Sequence, residues 1–437
     1  MTTARPFEEI PFVTLPDDYQ TDLGPFLARM YDQHGPIFRS IFFGQIVVYM
    51  VGPEANRFVL SSNRQLFSHH QGWWQVVNMF GNGLLTMDGA EHDQHRRMMN
   101  PAFTISYMDH YLPIMNRIIH QRTADWATRG EIDVYDEARK ITFDVAAEAL
   151  TGLQSGSEVD QFREIFVQIL NLGMVAIDEE DYRRRLDQLK GHLYDLLQPK
   201  IQERRQRPTN DVLGMLVRAR DDQGNALSDE QLFAHTNILL VAGHETSTSL
   251  SAWLLYLLTQ NKDYMKRVLD EQALLLDGNA EPTLDIIKQM KVLENALSEA
   301  ERLYPPVGNG PRGVVEDFEF NGYHVPAGVR LFYSIAASHL IPSIFAEPTK
   351  FDPDRFAVPR EEHKKVPYSL VGFGGGPRIC IGTNFAKVEI KAMVSQILRR
   401  YQLDLAPDQE IVQFYRGTGM PLYGIKMHIS PRQTVYA

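Results

Sequence analysis

One cysteine, Cys380, stands in a chain of 437 residues. A single thiol rules out an internal disulfide, which points away from a secreted scaffold and toward a reducing compartment. Basic residues are in deficit, with 44 Lys and Arg against 55 Asp and Glu and a net charge of −11. A nucleic-acid partner needs a basic footprint, so none is expected. No apolar run is long enough to span a bilayer, and the opening MTTARPFEEIPFVTLPDDYQ lacks the basic and apolar regions of a signal peptide. Repeats, low-complexity tracts and long linkers are missing as well. These absences lead to the expectation of a soluble, cytoplasmic protein with no transmembrane anchor, forming a single domain over 1–437.

What is present is ordinary for a globular chain: 44% hydrophobic and 23% charged residues. GPIFRSIFFGQIVVYMVG, residues 35–52, predicts two strands around Gly44. Helical patterns dominate from about 88 to 303. In LSDEQL, Ser228 followed three residues later by Gln231 predicts a capping box opening a long, apolar central helix. VLENALSEAERLY predicts a helix ended by Pro305-Pro306. Asn321-Gly322 lies between two strand-like runs within 312–335 and predicts a hairpin. A last helix is expected from near Cys380 to about Arg399, with short strands near 405–430. The fold class read from this pattern is mainly α with small β-sheets.

The cysteine sits in FGGGPRICIG, residues 373–382. An isolated cysteine usually fills core space. Gly374, Gly375 and Gly376 add no packing, however, and imply a close approach or an unusual dihedral. A helix start just beyond the sulfur favours the thiolate. A zinc site needs three or four ligands, and no second cysteine exists. A cysteine protease needs a histidine partner, and the 14 histidines leave that open by count, although no local protease signature is present. A haem iron needs only one protein ligand on this side.

Other constellations have bland readings of their own. Glu299 and Arg302 share a helix face, where such pairs are usually solvated. The Thr246 hydroxyl can bond back to the carbonyl of Ala242. Gly243 is costly inside a helix and marks either close packing or room for a ligand. His244 points away from Thr246 and reads as a surface or packing residue. His92 with His95 resembles a metal pair without a third ligand. Lys387 and Lys391 share a face that is either solvated or a docking patch for an acidic partner. Trp73, Trp74 and Phe80 are either core or pocket aromatics.

Phe373, Gly376, Arg378, Cys380 and Gly382 together resemble the haem-binding loop of the cytochrome P-450 haem-thiolate monooxygenases, Phe-x-x-Gly-x-Arg-x-Cys-x-Gly. Glu299 and Arg302 followed by LYPPV, Arg355 in FDPDRF, AGHETS at 242–247 and DGAEHDQHRR at 88–97 resemble further motifs of that family, in its order, from about residue 30 to the end. The resemblance implies the cytochrome P-450 fold and a haem b cofactor with Cys380 on iron. It implies propionate binding by His92, Arg96, Arg312 and Arg378, with Phe373 and Gly243 also bordering the haem. A groove near Gly243 would admit dioxygen, with Thr246 as the hydrogen-bonding alcohol and Glu245 relaying protons. Trp73, Trp74, Phe80 and Ala242 would line the substrate pocket. Glu299, Arg302 and Arg355 would form a buried structural network.

The expected activity is therefore insertion of one oxygen atom of O2 into an apolar substrate, by hydroxylation or epoxidation. No flavin or iron–sulfur domain is visible, so electrons are expected from an NAD(P)H-linked chain through a separate ferredoxin or flavodoxin, with Lys387 and Lys391 as a candidate docking patch. A peroxide-driven peroxygenase is one rival, although such family members typically lack the acid–alcohol pair. A non-catalytic haem sensor or electron carrier is another. The arginine two before Cys380 and AGHET resemble branches that handle fatty acids, sterols, retinoids or carotenoids.

Overall fold

Short-range sequence signals set most of the elements. The computed structural model describes residues 4–432 other than 155, 173–177 and 278–279. Helix α1, Tyr19–His34, precedes strands β1, Ile37–Phe42, and β2, Gln45–Val51. These strands pair antiparallel through the two-residue turn Phe43-Gly44, where both residues take positive φ, 48° and 74°. That is the turn whose twist matches paired strands. A two-residue strand β3, Phe67–Ser68, comes next, then α2, Gly89–Met99, and α3, Met108–Thr123. Strand β4, Glu131–Asp133, interrupts the helical stretch, an element the sequence pattern does not announce.

Helix α4, Val134–Thr151, opens on Asp133, whose carboxylate accepts the N–H groups of Tyr135 and Asp136. Helices α5, Ser157–Leu172, and α6, Glu179–Gln206, lead to the 32-residue α7, Asp229–Gln260. Its capping box is complete. Ser228 Oγ accepts the Gln231 N–H at 3.1 Å and Gln231 Oε1 accepts the Ser228 N–H at 3.0 Å. Helix α7 is apolar on most faces because it runs through the core and packs along α4, where Thr142 and Thr248 share a 2.6 Å hydroxyl bond.

Helix α8, Lys291–Leu303, stops just before the two prolines. Strands β5, Asn309–Val314, β6, Phe318–Phe320, β7, Tyr323–Val325, and β8, Arg330–Ser334, follow. The hairpin β6–β7 turns on Asn321-Gly322, with φ of 50° and 76°. The main sheet has the order β1-β2-β8-β5-β3, with β2 and β8 parallel. Helix α9, Thr383–Arg400, begins three residues after Cys380. Strands β9, Tyr401–Leu405, β10, Gln413–Arg416, β11, Thr418–Pro421, and β12, Lys426–Pro431, complete the chain, and β12 joins β4 to β9. A large helical core and two smaller sheet-side cores result. Among the described residues no helix is long and apolar enough to cross a membrane.

Candidate active site

The loop carrying Cys380 is shaped by its glycines. Gly374 and Gly376 take φ of 75° and 60°, which side-chain-bearing residues adopt only under strain. A Cβ on Gly376 would also overlap the carbonyl oxygen of Leu60. The Cys380 N–H donates to Phe373 O at 2.8 Å, and Thr383 Oγ1 donates to Cys380 O at 2.8 Å. Cys380 is exposed as a residue, although protein packs closely around its sulfur. Burial pushes its pKa up, and the Gly382 N–H, the Thr383 hydroxyl and Arg96 work against that shift. The helix start expected to favour the thiolate is thus outweighed by desolvation in the protein alone. A bound cation at the sulfur would reverse the balance.

Four side chains and one more gather as a cationic cluster. His92 is buried, and its Nδ1 lies 2.9 Å from Asp93. Burial and then Arg378 push its pKa down to about 4. Arg312 is 3% exposed and lies over Tyr333. Arg378 reaches back to the carbonyls of Leu84 and Met87 and to Asp88. Burial and then Arg312 hold its pKa down to about 10. Arg96 makes no hydrogen bond or ion pair to any described residue; burial holds its pKa down, and Cys380 and then Asp93 act against that. The fifth member, His69, was missed in the sequence. It is buried, its Nδ1 has no partner, and burial, Arg312, Arg378 and His92 all depress its pKa. Only the close spacing of His69 to the aromatic segment hinted at it.

Donors therefore exceed acceptors around the sulfur, with Asp88 and Asp93 as the nearby acids. Dicarboxylate groups fit such a cluster. Midway along α7, Ala242 is exposed and Gly243 and Thr246 are half-exposed, although the helix crosses the core. A Cβ on Gly243 would meet nothing within 4 Å. The residues present thus fit a haem with its propionates. Thr246 Oγ1 donates to Ala242 O at 2.6 Å. Glu245 points elsewhere, toward α4, with Arg139 Nε and the Tyr135 hydroxyl each 3.5 Å from a carboxylate oxygen and His244 Nε2 at 3.1 Å. The acid and the alcohol do not share a face.

Glu299, Arg302 and Arg355 meet with no exposure at all. Arg302 donates twice to Glu299, at 2.7 and 2.8 Å, and Arg355 once at 3.1 Å. The Asp352 N–H fills the fourth site at 2.9 Å. His339 extends the network. Its carbonyl accepts from Arg302 at 3.0 Å and its Nε2 accepts the Val371 N–H at 2.9 Å. The network thereby grips the chain just before Gly372 and Phe373. Glu301 adds a second grip. It receives the N–H groups of Gly372 and Phe373, and burial pushes its pKa up to about 7.

Several expectations need correction. Lys391 is buried, and both Lys387 and Lys391 are ion-paired to Glu294, at 2.8 and 2.6 Å. They join α9 to α8 and offer no free docking patch. Phe80 packs in the core against Phe166, with centroids 5.6 Å apart, rather than facing a pocket. Trp74 is 47% exposed, and Trp73 is partly buried with its Nε1 unpartnered. His92 and His95 part company, because His95 Nδ1 lies 2.7 Å from His235 Nε2. Among the described residues no three His, Cys, Asp or Glu side chains gather as a metal site. An open surface cavity of about 690 Å³ near Lys262, Arg267 and Asp404 involves none of these residues.

A glycine-shaped loop presenting one thiol, a cationic cluster beside it and a core helix with a bare central face define a haem-thiolate protein. The model of the cytochrome P450 family matches residues 6–433, and the chain belongs to that family, whose members are in general haem-thiolate monooxygenases. It is 33% identical to a putative cytochrome P450 120 of Synechocystis over 89% of this chain and 88% of the relative. It is 32% identical to a putative cytochrome P450 136 of Mycobacterium tuberculosis over 94% and 85%. A β-amyrin 6-β-monooxygenase of Solanum lycopersicum is 27% identical over 94% and 89%. Among solved structures, a retinoic acid-bound cyanobacterial CYP120A1 superposes with a TM-score of 0.86 at 30% identity, over 97% of this chain and 99% of that one.

Proposed function

We propose that the protein is a monooxygenase that uses haem b to insert one atom of O2 into a bulky apolar substrate, with electrons from a separate NAD(P)H-linked ferredoxin or flavodoxin. The observation that carries this reading is the exposed Cys380 in its glycine-shaped loop, with Arg96 of the cationic cluster acting on its sulfur. The haem supplies oxygen activation and O–O cleavage, which a thiolate ligand favours. Cys380 would hold the iron, while His69, His92, Arg96, Arg312 and Arg378 would take the propionates. The Gly382 N–H and Thr383 hydroxyl near the sulfur temper its basicity. Thr246 would turn its hydroxyl from Ala242 O toward the substrate side and pass protons there, with Glu245 as their source. Gly243 leaves room for the ligand beside the helix.

The relatives that act on β-amyrin and bind retinoic acid support an isoprenoid substrate. The cytoplasm is the expected compartment, given a single cysteine and no membrane-crossing helix among the described residues.

The test is spectroscopic. The reduced protein with carbon monoxide is expected to give the absorption band of thiolate ligation, and Cys380→Ser to abolish it. Retinoids and triterpenes are then screened for a spin-state shift and for product with a ferredoxin system. Folded, haem-loaded protein without the band would overturn the reading. Turnover with hydrogen peroxide alone, at a rate matching the reductase-driven one, would instead make it a peroxygenase.

A further inference from the structure

Glu301 is a buried acid that stands outside the Glu299–Arg302–Arg355 network. Two residues along α8 turn it about 160° away from Glu299, so the helix presents one acid to each side. Glu301 is 5% exposed, and its carboxylate meets the chain that enters the cysteine loop. The N–H groups of Gly372 and Phe373 approach it there. A Cβ on Gly372 would lie 2.5 Å from both Cγ and Oε1 of Glu301 and 2.9 Å from Cδ. Gly372 is not one of the glycines with positive φ, so dihedral freedom does not account for it. Residue 372 is a glycine because the Glu301 carboxylate fills the place of a side chain. Burying a carboxyl is costly unless it is hydrogen-bonded, and the bonds it finds here are to one short piece of backbone.

That piece is tied amide by amide. His339 Nε2 accepts the Val371 N–H at 2.9 Å, while its Nδ1 lies 3.2 Å from the carbonyl oxygen of Arg302 on α8. Glu301, also on α8, takes the next two amides. The Gly374 N–H then donates to Val371 O at 2.8 Å, and the Cys380 N–H donates to Phe373 O, also at 2.8 Å. This last bond joins the held segment to the residue that bears the sulfur. Lys387 of α9 lies on the other side, its Nζ 5.9 Å from the Phe373 ring centroid and 2.8 Å from Glu294. Phe373 is therefore fixed at its N–H by Glu301 and at its carbonyl by Cys380.

We propose that Glu301 is a positioning residue for the Cys380 ligand, fixing Gly372 and Phe373 so that Phe373 O stays on the Cys380 N–H and the sulfur keeps its place. This rests on the monooxygenase reading. Gly372 and Glu301 act as a matched pair. Glu301→Leu fills a similar volume but accepts nothing, which leaves two buried amides unpaired. Glu301→Gln keeps one accepting oxygen, and with it part of the hold. Gly372→Ala pushes the carboxylate away from both amides.

The test begins with amide hydrogen exchange in the holoenzyme. Gly372 and Phe373 are expected to exchange about tenfold faster in Glu301→Leu than in the wild type, the loss of one buried hydrogen bond apiece. Val371, held by His339, should not change. Equal rates at Gly372 and Phe373 in the two proteins would overturn the proposal. Resonance Raman spectra then read the ligand itself. The iron–sulfur stretch should move in Glu301→Leu and in Gly372→Ala, and the carbon monoxide band of thiolate ligation should decay about tenfold faster, with Glu301→Gln in between. Leu293→Ala loosens α8 about two turns earlier. It should lower the denaturant midpoint and leave the stretch where it is. A stretch unmoved in both loop variants, or moved as far by Leu293→Ala, would overturn the positioning role. Gly372→Ala should add little to Glu301→Ala, which vacates the space for a Cβ, and fully additive effects would break the pairing. Should Glu301→Leu fail to take up haem, Glu301→Gln and Gly372→Ala carry the same measurements. A wild type without the thiolate band overturns the monooxygenase reading and this role together. A wild type with the band, and variants that match it, overturns this role alone.

Discussion

Arg302 shows what a single side chain does in this molecule. Its guanidinium is wholly buried and gives hydrogen bonds to Glu299 and to the carbonyls of His339, Pro348 and Lys350. Removing one member of such a group leaves a desolvated charge unpaired, at a cost of about 3–5 kcal/mol. Arg302→Ala is therefore expected to lose that much stability, and its haem content with it, because His339 passes the strain to Val371. Denaturant unfolding and haem titration of the purified variant check this. A variant with normal haem occupancy and midpoint would refute it. Arg302→Lys should rescue little, since an ammonium cannot repeat the two-pronged bond to Glu299.

At the scale of an element, the cysteine loop is held by backbone constraint as much as by its contacts. Gly376 combines a left-handed φ with a Cβ direction blocked by Leu60 O. Gly376→Ala should cost about 1–3 kcal/mol and displace the Cys380 sulfur, weakening the carbon monoxide band while helical content stays constant. Retention of a wild-type band and melting temperature would show that the loop adapts. The same scale explains the lysines of α9. Sequence spacing put Lys387 and Lys391 on one face, but it could not say that Glu294 of α8 lies opposite. Burial pushes that carboxyl up and the two lysines outweigh it, down to about 2. The pair of lysines is consumed in packing two helices.

Across the whole molecule, α7 and α9 meet at a buried acid the chemistry does not use. Glu389 is fully buried, and neither carboxylate oxygen has a hydrogen-bond partner among the described residues, although the Ser247 hydroxyl of α7 is near enough to temper its pKa. Burial pushes its pKa from the usual 4.5 up to about 8. Between those values the folded protein holds a proton that the unfolded chain releases, so stability falls as pH rises through this window. Glu389→Gln removes that term. The variant should gain on the wild type by up to a few kcal/mol between about pH 5 and pH 8, read as a growing difference in denaturant midpoint. A difference that stays constant with pH would contradict it. The buried His235 acts on the acid side. Desolvation holds its pKa down to about 3, so its contribution is present above about 6.5 and is lost as pH falls.

Local chemistry was legible because it depends on near neighbours. The turn glycines, the Ser228 capping box, the proline stop after α8 and the spacing of Phe373, Arg378 and Cys380 each act within a few residues, so the sequence by itself determined the elements and the haem-thiolate family. Which face of a helix meets which neighbour depends on packing between segments far apart in the chain. Only the tertiary structure decided that Phe80 belongs to Phe166, that Lys391 is buried against Glu294, that His69 joins the cationic cluster and that Glu245 turns to Arg139 with His244 beside it. Periodicity assigns a side chain to an angle around its own helix, whereas burial and charge are set by whatever the fold brings to that angle.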